Sequence, residues 1–292
     1  MNSELDISPD EQSVFIRRIV IDRVVRSVVA VLTGLVIFVV VAILWYVASD
    51  GIPALSASFF TDIPAPIGTP GGGIGQAIAG TAEMLFFASL MAIPIGTLTA
   101  IYLAEYGQGT LLNSVIRFTV EVLASLPSIV VGVFVWALLV RQITGFSGWA
   151  GAVALAIVMV PIIARTLEEI LRLVKSNVKE SALSVGMPRW RMILQVAIPS
   201  VFPGLITGVL LSVARAAGET APLLMTSLGN EFFNSDMRRP MAAMTLQIYN
   251  YALSPYKEWH NKASLAVLTL IVIVSILNAS LAFVIYRIQP RH

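Results

Sequence analysis

Charged residues divide the chain into long apolar runs. Ser27–Ser49, Met84–Ala104, Val122–Val140, Gln142–Ala164, Met192–Ala214 and Ala263–Tyr286 each lack Asp, Glu, Lys and Arg. Because a helix rises about 1.5 Å per residue, about 20 apolar residues cross about 30 Å of hydrocarbon. The pattern therefore predicts an all-α, polytopic membrane protein with six transmembrane helices, at 27–49, 81–104, 118–140, 146–168, 201–225 and 263–286. Between them lie a polar N-terminal segment, 1–26, a loop rich in Gly and Pro, 50–80, a polar interval, 171–199, and a second long loop, 227–262. The first run follows a polar, acidic stretch and has no small-residue cleavage site behind it, so a cleaved signal peptide is the poorer reading.

Basic residues orient the spans, since Lys and Arg are retained on the cytoplasmic side. Arg17, Arg18, Arg23, Arg26, Arg117, Arg172, Lys175, Lys179, Arg189, Arg191, Arg287 and Arg291 fall on one side, against Arg141, Arg238, Arg239, Lys257 and Lys262 on the other. Both termini and the interval 171–199 are accordingly expected to be cytoplasmic, with loops 50–80 and 227–262 external. Arg165 and Arg215 remain, at or within spans.

Composition narrows the chemistry. The chain is 57% hydrophobic and only 12% charged, a balance suited to lipid. A net charge of +2 argues against a nucleic-acid binder. With no cysteine, and with His260 and His292 both in polar surroundings near segment ends, no buried metal or haem centre is expected. Gly71, Gly72 and Gly73 lack the Gly-Lys-Ser/Thr ending and the strand and helix context of a phosphate loop. No cofactor site is expected in this chain, so any ATP and Mg must be bound by a partner subunit.

The interval 171–199 is the most informative stretch. Leu171, Val174, Val178, Leu183 and Val185 recur at roughly helical spacing, predicting an amphipathic helix that Gly186 and Pro188 end. A second short helix, Arg189–Val196, is expected to present Trp190, Ile193 and Leu194. Such a two-helix knob suits a groove on a soluble partner, and it equally suits the lipid headgroup layer. Its residues resemble the coupling motif of ABC-importer permeases: Glu180, Ser181 and Ala182, then Gly186, then Val196, Ala197, Ile198 and Pro199 after nine intervening residues. Ser181, Val196 and Ile198 depart mildly from that motif.

Other stretches are similar to the A-type (PstA-like) subunits of phosphate-specific ABC importers: Tyr102–Gly107, Leu126–Gly132, Ala164–Thr166 and Ala214–Leu224. The resemblance covers one permease domain at about 71–286. It implies a type I ABC importer permease in a bacterial cytoplasmic membrane, importing inorganic phosphate. It also implies a second homologous permease subunit as heterodimer partner, two ATP-binding cassette subunits docked through Glu180, Ser181, Ala182, Gly186 and Pro199, and an external phosphate-binding protein. On that resemblance the chain is not itself an enzyme.

Charges within spans are costly and mark pathways or pairs. Arg215 and Glu219 stand one helical turn apart in the fifth span, where they either neutralise each other or line an anion path. Arg165, near the end of the fourth span, either snorkels to headgroups or forms an inner station of that path. Pro94, Pro127, Pro161 and Pro222 are expected to kink spans around a cavity. Glu83, Glu105 and Glu121 are expected at headgroup level, without chemistry. The aromatic and basic residues of Ser227–Lys262 fit an interfacial belt or a docking face for the binding protein. Rival readings are a permease for another oxyanion and a proton-coupled secondary transporter using Arg215 and Glu219, while a membrane-bound enzyme lacks a clustered nucleophile, base and orienter.

Overall fold

The computed structural model describes residues 9–66, 69, 71–107 and 109–288. Apart from short 3₁₀ and π turns, its regular elements are α-helices, and the one β-bridge among the described residues joins Leu228 and Met241. The chain forms two units, residues 1–50 and Gly51–His292. The first consists of helix α1, Pro9–Gly51, whose last residue belongs to the second unit. The polar segment expected before residue 27 is thus helical from Pro9 onward, continuous with the apolar run. Leu35, Phe38 and Trp45 of α1 are exposed, as suits an all-round apolar helix in lipid.

The second unit holds α2, Ala57–Thr61; α3, Gly75–Ile101; α4, Leu111–Ser125; α5, Ser128–Val135; α6, Gly148–Arg172; α7, Ser176–Ser184; α8, Arg189–Met192; α9, Ile198–Ala217; α10, Ala221–Thr226; α11, Met244–Ala252; and α12, Lys257–Ile288. Among the described residues, five stretches are long and apolar enough to cross a membrane, and the bent pair α4–α5 makes a sixth if it is one span. The chain is therefore a multi-pass membrane protein.

Two expected spans are not single helices. In place of one span at 118–140, α4 and α5 meet at Leu126 and Pro127 with a bend of 104°. Pro127 provides no N–H and disfavours helical backbone at Leu126, which is extended with ψ 136°. In place of one span at 201–225, α9 ends at Ala217, and Gly218 to Thr220 separate it from α10, with Pro222 in its first turn. Pro94 and Pro161, by contrast, lie inside continuous helices. Loop 50–80 is shorter than expected, because α3 begins at Gly75, and it carries α2, capped by the Ser56 side chain. Loop 227–262 contains α11 and the first turn of α12.

Helix α6 is the centre of the unit: 67% of its apolar window is buried, against 28% in the α3 span and 22% in the α12 span. Small residues let α3 approach it. Ala88, Ala92 and Ala100 are fully buried, and a Cβ at Gly96 would lie 2.7 Å from Ile163 Cγ2. On its other side α9 runs antiparallel, with Gly204 against Ile170 and Gly208 against Thr166. The two broken elements also touch, since a Cβ at Gly132 of α5 would lie 2.7 Å from Pro222 Cα of α10. A second apolar cluster joins α2, α11 and α12 through Phe59, Met244, Tyr251 and Leu265.

Candidate functional site

Arg215 occupies the last turn of α9, where a cation is favoured by the helix dipole. Its Nε lies 3.9 Å from Glu219 Oε1, a contact beyond hydrogen-bond length. The two side chains differ in exposure, 62% for Arg215 and 15% for Glu219. Glu219 is held by its backbone: its N–H donates to Ala216 O at 3.1 Å, and its carbonyl accepts from Thr245 Oγ1 of α11 at 2.9 Å. The backbone of Glu219 is thus anchored in the break between α9 and α10, its side chain is largely buried, and the Arg215 side chain is mostly exposed. Such an arginine can receive an anion without first losing a tight partner.

Arg165 projects from α6 beside Glu169, with Nε to Oε1 at 3.3 Å, and both side chains are mostly exposed. Around it lies a cavity of about 150 Å³ that also exposes Arg117, Arg172, Glu121 and Glu168. Glu168 is the buried member, 7% exposed at its side chain; it accepts from Arg117 of α4 at 2.5 Å and forms an ion pair with Arg172 at 2.8 Å. Three arginines face three glutamates there, so an anion entering would compete with carboxylates already in place. The Gly204–Ile170 and Gly208–Thr166 contacts set the level of Arg165 beside residue 209. Arg215 is six residues further along α9, about 9 Å by helical rise. The two arginines are therefore close along the axis of the bundle.

The polar interval forms its two helices, but the first begins at Ser176. Leu171 belongs to α6, which ends at Arg172, and Leu171 and Val174 are buried beneath the knob. Helix α7 ends in a Schellman arrangement: Gly186 N–H donates to Leu183 O at 3.0 Å and Met187 N–H to Ala182 O at 3.3 Å. Gly186 has φ +83°, the left-handed conformation that this cap requires. Glu180, Ser181, Gly186 and Pro199 are exposed and Ala182 is half-buried. Trp190 and Leu194 are exposed as expected, whereas Ile193 is 2% exposed and packs with Val174, Met192 and Ala197. Ile193 faces inward with Met192, and α8 continues from it through a π turn, Ile193–Ala197.

Glu105 departs most from expectation. It is 4% exposed, buried within the protein, and accepts from Lys179 Nζ of α7 at 2.5 Å. Neither this pair nor Arg117–Glu168 was legible from local spacing, because the partners lie 74 and 51 residues apart. The available signal was a lone carboxylate ending an apolar run with a lysine on the amphipathic interval.

Residues 92–292 match the model of the family described as binding-protein-dependent transport system inner membrane component. The chain is 43% identical to the phosphate transport system permease protein PstA of Yersinia pestis, over 87% of this chain and 85% of that protein. It is 44% identical to PstA of Pasteurella multocida, over 86% and 89%. Among solved structures, an inward-facing MetNI methionine ABC transporter shares the fold with TM-score 0.57 and 18% identity, covering 74% of this chain and 98% of that one. An amino acid ABC transporter solved with histidines gives TM-score 0.54 at 17% identity, covering 74% and 93%. The family match spans well over half of the chain, and the chain belongs to the binding-protein-dependent transport system inner membrane components.

Proposed function

We propose that the chain is the permease subunit of an ATP-driven importer that carries inorganic phosphate across the bacterial cytoplasmic membrane. The observation that carries this reading is the identity of 43–44% to phosphate permeases over 86–87% of the chain. As a permease of this family it works with ATPase subunits and a binding protein, and ATP hydrolysis belongs to the former. The finer assembly is a heterodimer with a second homologous permease subunit, two ATP-binding cassette subunits that hold ATP and Mg, and an external phosphate-binding protein. Both termini are cytoplasmic in this reading, in keeping with the basic-residue count.

The exposed segment from Glu180 through Ser181, Ala182 and Gly186 to Pro199 docks the ATPase. Its exposed Trp190 and Leu194 support a protein groove as the contact. Arg215 contacts phosphate on its path, Glu219 tunes the guanidinium, and Arg165 is the inner station. An exposed arginine side chain beside a largely buried carboxylate supports that division, because planar donors match phosphate geometry.

The test is radiolabelled phosphate uptake by the assembled complex in vesicles, with subunit co-purification as the control. Arg215→Lys is expected to lose most uptake, since an ammonium keeps the charge and lacks the fork. The exchange Arg215→Glu with Glu219→Arg is expected to fail also; if neutralisation were the whole role, the exchange would restore function. Near-normal uptake by a well-assembled Arg215→Ala complex would refute the path assignment.

A further inference from the structure

Helix α3 does not end as an α-helix. Beyond Ile101 it continues as Tyr102–Tyr106, a π turn closed by Gly107 N–H donating to Tyr102 O at 2.8 Å. Such turns are rare and concentrate at functional positions. Both helices of the knob are fastened to this one turn. From α7, Lys179 Nζ reaches Glu105 at 2.5 Å and Leu171 O at 3.2 Å. From α8, the Arg189 guanidinium lies 5.5 Å from the centre of the Tyr106 ring, within cation–π range. Behind the turn, Asn113 of α4 donates to Leu103 O at 3.3 Å, and Leu103 packs in a cluster with Ala164 of α6.

A buried ion pair is weak evidence of stability, because removing both charges together costs little, whereas its geometry fixes how two elements sit. Glu105 is 4% exposed and Lys179 18%, so the pair is shielded from solvent and short. The lysine also grips the end of α6 through Leu171 O. One side chain therefore joins the docking knob to the ends of both central helices.

We propose that the Tyr102–Tyr106 turn receives the displacement of α7 and α8 and passes it to α3. Lys179–Glu105 is the rigid link and Arg189–Tyr106 a second contact. Lys179 and Glu105 are then positioning residues for ATP-coupled transport, acting through α3 on the α3–α6 core rather than on ATP or phosphate. This rests on reading residues 180–199 as the ATPase docking segment.

The experiment measures phosphate carried per ATP hydrolysed by the whole complex in vesicles, for Glu105→Gln, Lys179→Met, the two combined, and Lys179→Arg. Both singles and the double variant are expected to keep their ATPase subunits and to lose about tenfold or more of that ratio, the scale of one charge-assisted hydrogen bond. Lys179→Arg is expected to recover part of it. The double variant is decisive, because it leaves no orphaned charge: a wild-type ratio there would overturn the proposal, as would loss of the ATPase subunits. If reshaping the knob at Gly186 leaves docking and transport intact, the docking reading itself fails. A defect at Gly186 beside a normal ratio in the double variant removes the receiver alone.

Discussion

Gly186 separates backbone demand from spatial demand. Its φ is +83°, yet a Cβ built there meets nothing within 4 Å of the chain. A substitution is therefore penalised by conformation and not by crowding. Alanine held in the left-handed region costs about 1–2 kcal/mol relative to the right-handed one, and asparagine costs less because its side chain bonds locally. A penalty of about 1–2 kcal/mol changes the population of the turn by about 5- to 30-fold. The two hydrogen bonds of the cap, Gly186 to Leu183 and Met187 to Ala182, would be lost in the alternative conformers. The assay follows retention of ATPase subunits on the tagged chain and ATP-driven phosphate uptake. Activity is expected to fall in the order Gly186, Gly186→Asn, Gly186→Ala, with Gly186→Leu close to alanine. If asparagine were worse than alanine, side-chain size against the partner would govern the site. Wild-type behaviour from Gly186→Ala would refute the conformational argument.

Glu168→Ala removes the acceptor shared by Arg117 and Arg172; it is expected to cost about 2–3 kcal/mol, below a fully buried pair because both arginines are partly exposed. Thermal unfolding in detergent should show a lowered midpoint, while Glu169→Ala, in an exposed pair, changes stability by about 0.5 kcal/mol or less. Tyr251 is pushed up to about 12, chiefly by burial and also by the charge of Glu231, against the lowering hydrogen bond from Gln247. Its raised folded value means that the stability it contributes is complete below pH of about 10 and is lost as pH rises through about 12. Spectroscopic titration should show a late tyrosine step that is absent in Tyr251→Phe, and that variant should lose the corresponding step in stability.

The apolar runs and their charged borders were enough to read a multi-pass helical protein, because lipid forces spanning backbone into helices of fixed minimum length. The knob was legible for a similar reason: Gly186 and Pro188 punctuate locally, and a Schellman cap needs only its own turn. Charge counting could not find the interiors of the spans. Val122–Val140 is an uninterrupted apolar run, and the bend at Leu126 and Pro127 leaves its hydropathy unchanged. Pro94 and Pro161 show that proline alone does not decide between a continuous helix and a break. The partner of Glu105 was not legible because a carboxylate at the end of an apolar run has the same local appearance whether it faces solvent or a lysine 74 residues away.

The charge pair Arg215 and Glu219 gains its meaning from the break that sequence periodicity hides. In an unbroken helix, two residues four apart on one face would satisfy each other and cost lipid insertion little beyond their desolvation. Here the helix ends between them. The freed backbone groups are met within the protein: Gly218 N–H by Arg215 O, Glu219 N–H by Ala216 O and Glu219 O by Thr245. A broken helix at membrane depth is tolerated where protein or a water-filled cavity surrounds it. The contact of Gly132 with Pro222 packs α5, the helix that follows the break at Pro127, against α10, the helix that follows the break at Gly218–Thr220. The helices following both breaks thus pack together, and the arginine that precedes the second break has a side chain 62% exposed. Neutralisation alone would not require that arrangement, since a straight helix supplies it. The proposed anion path would use an exposed cation at such a break, and the charge exchange between Arg215 and Glu219 separates that role from neutralisation.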